Sequence, residues 1–379
     1  MLSLEHILGI RKKIVIKIGT NLLTDKTEGL HTERIEQIAQ NVSALHSRGY
    51  DVVIVSSGAI GAGVGLLRLA ERPRTIPEKQ AVAAIGQPIL MEAYEHAFRK
   101  EHCTIAQILL TKDDFVNRSR YINIKNTFSA LFDKGVVPIV NENDSVAVEE
   151  IKLGDNDNLS ALVATLVEAG ILIILSDVDG LYSDDPARNS DARLIPVVEK
   201  ISPQIEKLAK GRKNDLSTGG MITKIQAARR CTSSGIAVVI ANGTRPNVIA
   251  DISVGKRVGT LFLPAEDKLN VRQKWIGFVS DAKGTVAIDD GAKTALIKKQ
   301  KSLLPSGIID VRGEFKRGDT ISVVDMKGIE IARGVAGYSS TDLGKIKGKK
   351  TAEIQKILNR QGNEEVIHRN DLVMTGPDR

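Results

Sequence analysis

The chain has 379 residues, enough for two or three domains of about 100 to 200 residues each. Its 42% apolar and 26% charged residues exclude the disordered and fibrous classes. Two cysteines are too few for a disulfide framework, and no apolar run approaches the roughly 18 residues of a membrane span. Glu5 and His6 stand where a signal peptide would need apolar residues, so we expect an unprocessed cytoplasmic protein without a membrane segment.

The net charge of +7 is concentrated in the last third of the chain. Residues 271–379 hold 20 Lys and Arg against 14 Asp and Glu, whereas residues 1–270 hold 33 against 32. Such a shift in composition typically separates domains, and residues 264–270 have the composition of a linker. The sequence therefore predicts one domain over 1–268 and a second over 269–379.

The first domain alternates short apolar runs with longer stretches of helical period. The runs are Ile14–Ile16, Val52–Val55, Ile105–Leu110, Val136–Val140, Ile171–Leu175 and Ile236–Ile240. The stretches 32–48, 78–100, 117–134, 157–168 and 219–233 are long enough for crossover helices. Because the runs are apolar throughout, they indicate strands covered on both faces. The pattern predicts an α/β fold, a three-layer αβα sandwich around a mostly parallel central sheet.

Polar loops follow four of these runs, at residues 17–21, 56–63, 141–144 and 176–180. Ligands of open α/β sheets bind beyond the carboxyl ends of the strands, so we expect these loops to converge on one site. The alternative for any single loop is the ordinary polarity of a connection between a strand and a helix.

Lys17 lies inside a predicted buried strand, where an unpaired ammonium group is costly. A structural role would require a buried carboxylate partner. The other interpretation is that Lys17 reaches beyond the strand end toward an anion such as phosphate, which Gly19 would let approach the backbone.

Glycines also surround Ser57, in the segment 57–63, but Leu66 occupies the third glycine position of a dinucleotide fingerprint. No Walker-type phosphate loop occurs in the sequence either. The segment is suited to a small carboxylate or phosphate at a helix start, unless its glycines serve only close packing.

Amide and carboxylate side chains are densest in the segments 141–144 and 154–158. A calcium loop needs Asp or Asn at its fifth position, but Leu159 stands there in the loop that starts at Asp155, and Leu181 in the loop that starts at Asp177. Carboxylates can hold the ammonium group of an amino acid, and asparagines can hold its carboxylate. Asp155 or Asn156 could instead cap the helix that follows, but capping would explain only one of them.

A further glycine-rich segment, Ser217–Lys224, leads directly into an amphipathic helix. Its amide groups would lie at the positive end of the helix dipole, and Lys224 could bend back over a bound anion. The alternative is a loop followed by an ordinary surface lysine.

These features together fit phosphoryl transfer, which needs positioning and charge neutralisation more than covalent chemistry. Six scattered histidines offer no nucleophile arrangement and no metal triad, so no protein metal site is predicted. Magnesium would arrive on the nucleotide phosphates.

The motifs at 17–20, 57–60, 141–147, 152–160, 176–182 and 218–224 resemble the glutamate kinases of the amino acid kinase family. The resemblance covers nearly the whole chain. It implies ATP-dependent phosphorylation of the side-chain carboxylate of L-glutamate to L-glutamate 5-phosphate, the first step of proline synthesis, with proline as a feedback inhibitor. The alternative substrate is a related small acid such as N-acetylglutamate.

The resemblance also implies a role for each matched residue. Lys17 and Lys224 would act on the transferring phosphoryl group, oriented by Asp157. Glutamate would be bound by Ser57, Asp144 and Asn156. The nucleotide would be bound by Lys17, Ser176, Asp177, Thr218, Gly219, Gly220, Met221, Ile222, Thr223 and Lys224.

The basic C-terminal part resembles a PUA domain, a small β-rich module. Strand-like runs at 284–288, 319–324 and 329–332 fit this resemblance, as do predicted turns at Asp290–Gly291 and Lys327–Gly328. An RNA-binding regulator is the competing functional class, but aromatic stacking residues are scarce there, so we predict no RNA binding. We also expect a homo-oligomer.

Overall fold

The computed structural model describes residues 7–9, 11–24, 29–146, 156–186, 188–210, 220–265, 282–349, 351–358 and 365–376. The chain divides into two compact units, Met1–Lys268 and Leu269–Arg379. No helix in these described ranges combines the length and apolar character needed to cross a membrane.

The first unit is built on an eight-stranded sheet in the order β3-β4-β2-β1-β5-β7-β8-β6. Its strands are β1 Lys13–Ile18, β2 Asp51–Val55, β3 Ile105–Leu110, β4 Val137–Glu142, β5 Ile171–Ser176, β6 Val197–Val198, β7 Ala237–Asn242 and β8 Thr260–Phe262. Neighbouring strands pair in parallel, except that β7 and β8 are antiparallel. The predicted α/β class with a mostly parallel sheet is confirmed.

Helices connect these strands along the chain. They are α1 Thr20–Leu23, α2 Thr32–Ser47, α3 Ala59–Leu67, α4 Ile76–Lys100, α5 Lys112–Val116, α6 Arg118–Asp133, α7 Asn156–Leu166, α8 Pro203–Lys210, α9 Met221–Ser233 and α10 Val248–Ser253. Every residue of β5, and all of β1 except its first, is buried, as expected for strands covered on both faces. The core also contains the fully buried rings of Tyr94, Phe98 and Phe115.

Helices α3 and α4 pack unusually closely because glycines lie at their contact. A Cβ atom added to Gly86 would stand 1.8 Å from the carbonyl oxygen of Ala59, and one added to Gly63 would stand 2.1 Å from that of Val82. The start of α4 is fixed by a capping box between Thr75 and Glu78. This packing brings the middle of α4 against the first residues of α3, and therefore near the loop that follows β2.

The second unit contains a separate five-stranded sheet in the order β10-β9-β11-β12-β13. Its strands are β9 Gly284–Ile288, β10 Ile308–Arg312, β11 Thr320–Val324, β12 Glu330–Val335 and β13 Leu372–Met374, and its helices are α11 Asp290–Lys299, α12 Ser340–Ile346 and α13 Thr351–Leu358. The pairing is antiparallel except between β9 and β11. The predicted β-rich character of this unit is confirmed.

One of the two turns predicted in the second unit is wrong. Asp290 and Gly291 begin helix α11 instead, because Asp289 accepts a hydrogen bond from the backbone N–H of Ala292 at 2.6 Å and so caps the helix. The predicted turn at Lys327–Gly328 is present between β11 and β12, and Gly328 adopts a φ of +78° there.

Candidate active site

The four predicted polar loops lie side by side at one edge of the sheet. The strands that precede them, β4, β2, β1 and β5, are consecutive neighbours in the sheet order. Backbone hydrogen bonds continue the pairing past the strand ends: Ser56 N–H donates to Val140 O at 2.8 Å, and Gly19 N–H donates to Leu175 O at 3.1 Å. The expected convergence of these loops is therefore confirmed.

A buried carboxylate at this edge holds two lysines. Asp157, the second residue of α7, is 0% exposed. Its Oδ1 lies 2.6 Å from Lys17 Nζ, and its Oδ2 lies 3.1 Å from Lys224 Nζ. Lys17 lies near the end of β1 and Lys224 lies on α9. The Asp157 carboxylate therefore brings together two lysines that are distant in sequence. It is also the buried partner that a structural role for Lys17 would require.

The charge state of Asp157 follows from two opposing influences. Burial alone would raise the pKa of its carboxyl group. The positive charges of Lys17 and Lys224, with hydrogen bonds from Lys17 and Thr223, outweigh burial and hold the pKa below its usual value. Asp157 is therefore ionised at neutral pH, and the cluster of two ammonium groups and one carboxylate carries a net positive charge suited to an anion.

The start of α9 provides backbone amides next to this cluster. Gly220 precedes the helix, Met221 is buried, and Ile222 is partly exposed. Thr223 Oγ1 lies 2.8 Å from both Asp157 Oδ2 and Gly220 O, which ties the helix start to the buried carboxylate. Among the described residues, none has an atom within 4 Å of a Cβ added to Gly220. The predicted nucleotide contacts Thr218 and Gly219 lie outside the described residues.

Neutral polar groups form the next part of the site, around Asn156. Its Nδ2 lies 2.8 Å from Ser57 Oγ, 3.0 Å from Asn141 Oδ1 and 2.6 Å from Ser56 O. Two of the three predicted glutamate-binding residues, Ser57 and Asn156, are therefore in direct contact. Ser57 stands just before Gly58, whose φ of +109° makes the sharp entry into α3.

Asp144, the third predicted glutamate-binding residue, is half-buried in the turn that follows β4. It comes three residues after Asn141 and thus belongs to the same sheet edge. Asp155, in the second acid and amide segment, lies outside the described residues, so its alternative role as a helix cap has no structural account.

Ser176 and Asp177 stand at the end of β5, on the other side of β1. Ser176 Oγ donates to Asp177 Oδ1 at 3.0 Å, and Asn21 Nδ2 donates to Asp177 Oδ2 at 3.1 Å. Burial raises the pKa of Asp177, but the hydrogen bonds from Asn21 and Ser176 outweigh burial and lower it overall. These contacts hold the Asp177 carboxylate in one orientation.

Three residues in these networks were not among those selected from the sequence. Asn21 orients Asp177, Asn141 contacts Asn156, and Gln87 on α4 accepts a hydrogen bond from Asn141 Nδ2 at 2.8 Å. Asn141 was visible in the sequence as part of a polar segment. Gln87 carries no such signal, because it lies within a long helix and reaches the site only through the close packing of α3 and α4.

The chain matches the model of the amino acid kinase family over residues 12–242 and the model of the PUA domain over residues 284–358. It is 49% identical over 362 residues to the glutamate 5-kinase of Caldanaerobacter subterraneus subsp. tengcongensis, covering 96% of this chain and 97% of that protein. It is 49% identical over 365 residues to the glutamate 5-kinase of Moorella thermoacetica, with the same two coverages. Among solved structures, the UMP kinase of Bacillus anthracis aligns with a TM-score of 0.47 and 16% identity, over 67% of this chain and 96% of its own.

Proposed function

Because this chain belongs to the amino acid kinase family, we propose that it transfers the γ-phosphoryl group of ATP to the side-chain carboxylate of L-glutamate. The product is L-glutamate 5-phosphate, and the reaction is the first step of proline synthesis. The observation that supports this function best is the pair of adjacent residues Asn156 and Asp157. Asn156 contacts the neutral side chain of Ser57, which is suited to bind an amino acid. Asp157 holds two lysines, which are suited to bind a phosphoryl group.

The reaction needs few groups from the protein. An oxygen of the substrate carboxylate attacks the γ-phosphorus, the bond from that phosphorus to the bridging oxygen breaks, and ADP leaves with the electron pair. The carboxylate is already ionised at neutral pH, so no general base is required. The protein has to align the two substrates and neutralise the charge on the transferring group.

In the catalytic step, Lys17 and Lys224 flank the transferring phosphoryl group, and Asp157 orients both. Asp157 satisfies two buried ammonium groups while leaving a net positive charge for the phosphate oxygens. Preorganised charge of this kind costs little reorganisation when the reaction occurs.

The remaining predicted residues bind the two substrates. Glutamate is bound by Ser57, Asp144 and Asn156. The nucleotide is bound by Ser176, Asp177 and the segment 218–224, whose described residues lie at the start of α9. The position of Gly220 at this helix start and the fixed orientation of the Asp177 carboxylate support this assignment.

Magnesium would be held by the nucleotide phosphates and would neutralise part of their charge. Mg²⁺ usually keeps several waters and binds through substrate phosphates rather than in an all-protein cage. Within the described ranges, no group of three or more His, Cys, Asp or Glu side chains is arranged for a metal, and Asp157 is already neutralised by two lysines. The residues present therefore fit an ion carried by ATP, whose chemistry is to neutralise phosphate charge.

We also propose broader assignments for this protein. The catalytic domain comprises residues 1–268, and residues 269–379 form a PUA domain that does not bind RNA. The protein acts in the cytoplasm, which its two free cysteines favour. Proline, which shares the ammonium and carboxylate groups of glutamate, acts as a feedback inhibitor, and the active form is a homo-oligomer.

The test is ADP release by the purified protein with Mg-ATP and, separately, L-glutamate, N-acetyl-L-glutamate, L-aspartate, carbamate and UMP. Hydroxylamine traps any acyl phosphate as a hydroxamate. Turnover with L-glutamate alone, together with hydroxamate, is expected. Preference for N-acetyl-L-glutamate would overturn the substrate assignment, and tight, salt-sensitive binding of total RNA without turnover would overturn the kinase itself.

A further inference from the structure

The hydrogen bonds around Asn156 determine which of its two side-chain atoms is left for a ligand. The backbone N–H of Glu142 donates to Asn141 Oδ1 at 2.9 Å, which identifies that atom as the oxygen of the Asn141 amide. The Asn156 atom that contacts the same oxygen must therefore be a donor, Nδ2. The carbonyl of Ser56, 2.6 Å from this atom, requires the same assignment.

This assignment fixes the polarity of the ligand-facing groups. Asn156 Nδ2 is occupied by contacts with the protein, and no described residue donates a hydrogen bond to Asn156 Oδ1. Ser57 Oγ accepts from Asn156 Nδ2, so the hydroxyl hydrogen of Ser57 remains able to donate. The site thus offers one acceptor and one donor at adjacent positions, both on half-buried residues.

An amino acid presents the complementary pair of groups, an ammonium donor beside a carboxylate acceptor. Asn156 Oδ1 is matched to the ammonium group, and the Ser57 hydroxyl is matched to the α-carboxylate. This reverses the expectation from residue type, in which asparagine side chains hold the carboxylate of the substrate.

The orientation of Asn141 depends in turn on Gln87. Asn141 Nδ2 donates to Gln87 Oε1 at 2.8 Å, so Gln87 supports the amide orientation from the side opposite Asn156. Gln87 follows Gly86, the residue whose missing side chain allows α4 to approach α3. The chain of contacts runs from Gln87 through Asn141 to Asn156 and Ser57.

We propose that Gln87 is a positioning residue for amino acid recognition: through Asn141 it holds Asn156 so that Asn156 Oδ1 accepts from the substrate ammonium group while Ser57 donates to the α-carboxylate. This proposal rests on the proposed function. It predicts that a change at Gln87 acts on the ammonium group of the substrate more than on its carboxylates.

The experiment compares the wild-type protein with Gln87→Met, which keeps the length of the side chain but removes its acceptor. The KM for L-glutamate should rise about 3- to 10-fold, the usual effect of one hydrogen bond, with kcat and the KM for ATP little changed. Glutarate, which lacks the ammonium group, serves as a competitive inhibitor, and its Ki should change by less than about 2-fold.

Two further variants separate positioning from a merely structural effect. Gln87→Glu retains an acceptor oxygen and should restore most of the glutamate affinity. Gln204→Met makes the same chemical change on the exposed side of α8 and should behave as wild type. Thermal unfolding of each variant identifies any loss of folding. If Gln87→Met does not fold, the same two constants, the KM for L-glutamate and the Ki for glutarate, are measured for Gln87→Ser instead.

The outcomes are distinct. Wild-type protein that does not phosphorylate glutamate overturns the proposed function. Active wild type with an unchanged glutamate KM in folded Gln87→Met, or with equal changes for glutamate and glutarate, overturns the role of Gln87. In an Asn141→Ser background, Gln87→Met should add little further change to the glutamate KM, because Gln87 acts through Asn141; a fully additive effect also contradicts the proposal.

Discussion

The candidate active site has two parts, which are centred on the adjacent α7 residues Asn156 and Asp157 and are held together by different interactions. Asp157 is fully buried and is balanced by two lysines, so its end of the site depends on charge. Asn156 contacts Ser57 and Asn141 through neutral hydrogen bonds, so its end depends on the direction of dipoles. A buried charge needs a counter-charge nearby, whereas an amide needs neighbours that decide which way it points.

This difference determines what a substitution should do. Removing the carboxylate of the charged group leaves two buried ammonium groups uncompensated, and the effect extends to folding. Removing one member of the amide network misaligns a ligand contact, and the effect should be confined to affinity.

The largest effect is expected for Asp157→Asn, which leaves two buried ammonium groups without their carboxylate. The free energy of unfolding should fall by about 3 to 5 kcal/mol, and activity should be almost lost. Urea unfolding measures the first effect and ADP release the second.

The matched control is Asp251→Asn, because Asp251 pairs with Lys256 at 2.6 Å on the surface. Loss of this exposed pair should cost less than about 1 kcal/mol and leave activity intact. Equal destabilisation by the two substitutions would mean that burial does not distinguish the active-site pair from an ordinary ion pair.

The stability difference between wild type and Asp157→Asn should also depend on pH. Because the pKa of Asp157 is lowered in the folded protein, its contribution is fully present above the unfolded-state pKa of about 3.9 and is lost as pH falls through the folded-state value. Urea unfolding at a series of pH values should give a constant difference from neutral pH to about 5 and a narrowing one below about 4. A difference that shrinks near neutral pH would indicate that Asp157 is not the ionised partner of the two lysines.

Lys224→Met should lower kcat by about 100- to 1,000-fold, the usual loss for one preorganised charge stabiliser. Folding should change less than in Asp157→Asn, because Asp157 keeps Lys17 as its partner. Steady-state kinetics at saturating ATP and glutamate test the prediction. A variant with near-normal kcat would remove Lys224 from the chemistry.

A smaller and more selective effect is expected for Asp144→Ala. The KM for glutamate should rise by about 10- to 100-fold, as expected for loss of a charged hydrogen-bond partner, while the KM for ATP should barely move. Initial rates measured over a range of each substrate separate the two constants. Equal changes in both would place Asp144 away from the amino acid.

The sequence predicted the strands of the first unit closely, because runs such as Ile171–Leu175 are apolar throughout and end in recognisable polar loops. A lysine inside a buried strand left two interpretations open, a buried carboxylate partner or an anion beyond the strand end, and the structure shows such a partner in Asp157. The grouping of Asp157 with both lysines was implied by the family resemblance. The orientation of the Asn156 side-chain amide could not be predicted from the sequence. The identity of the amide atom facing the ligand depends on Glu142 N–H and on Gln87, neither of which is near Asn156 in sequence.

The turn predicted at Asp290–Gly291 in the second unit was wrong because its residue types are not specific to turns. The Asp290–Gly291 pair has the composition of a turn, but the residue before it, Asp289, caps a helix. Turn-forming residues and helix-capping residues are chemically alike, because both use a short polar side chain to bond nearby backbone N–H groups. Local composition alone does not separate the two.

The contact between α3 and α4 at Gly86 gives substrate affinity a mechanical sensitivity. Ser57 lies just before α3, and Gln87 lies on α4. The distance between the two helices therefore affects the alignment of the hydrogen bonds that run from Gln87 through Asn141 and Asn156 to Ser57. A larger side chain that separates these helices by a fraction of an ångström should weaken glutamate binding without contacting any group proposed to bind glutamate. We therefore expect glutamate affinity to depend on the fit of the two helices as well as on the residues proposed to bind the substrate.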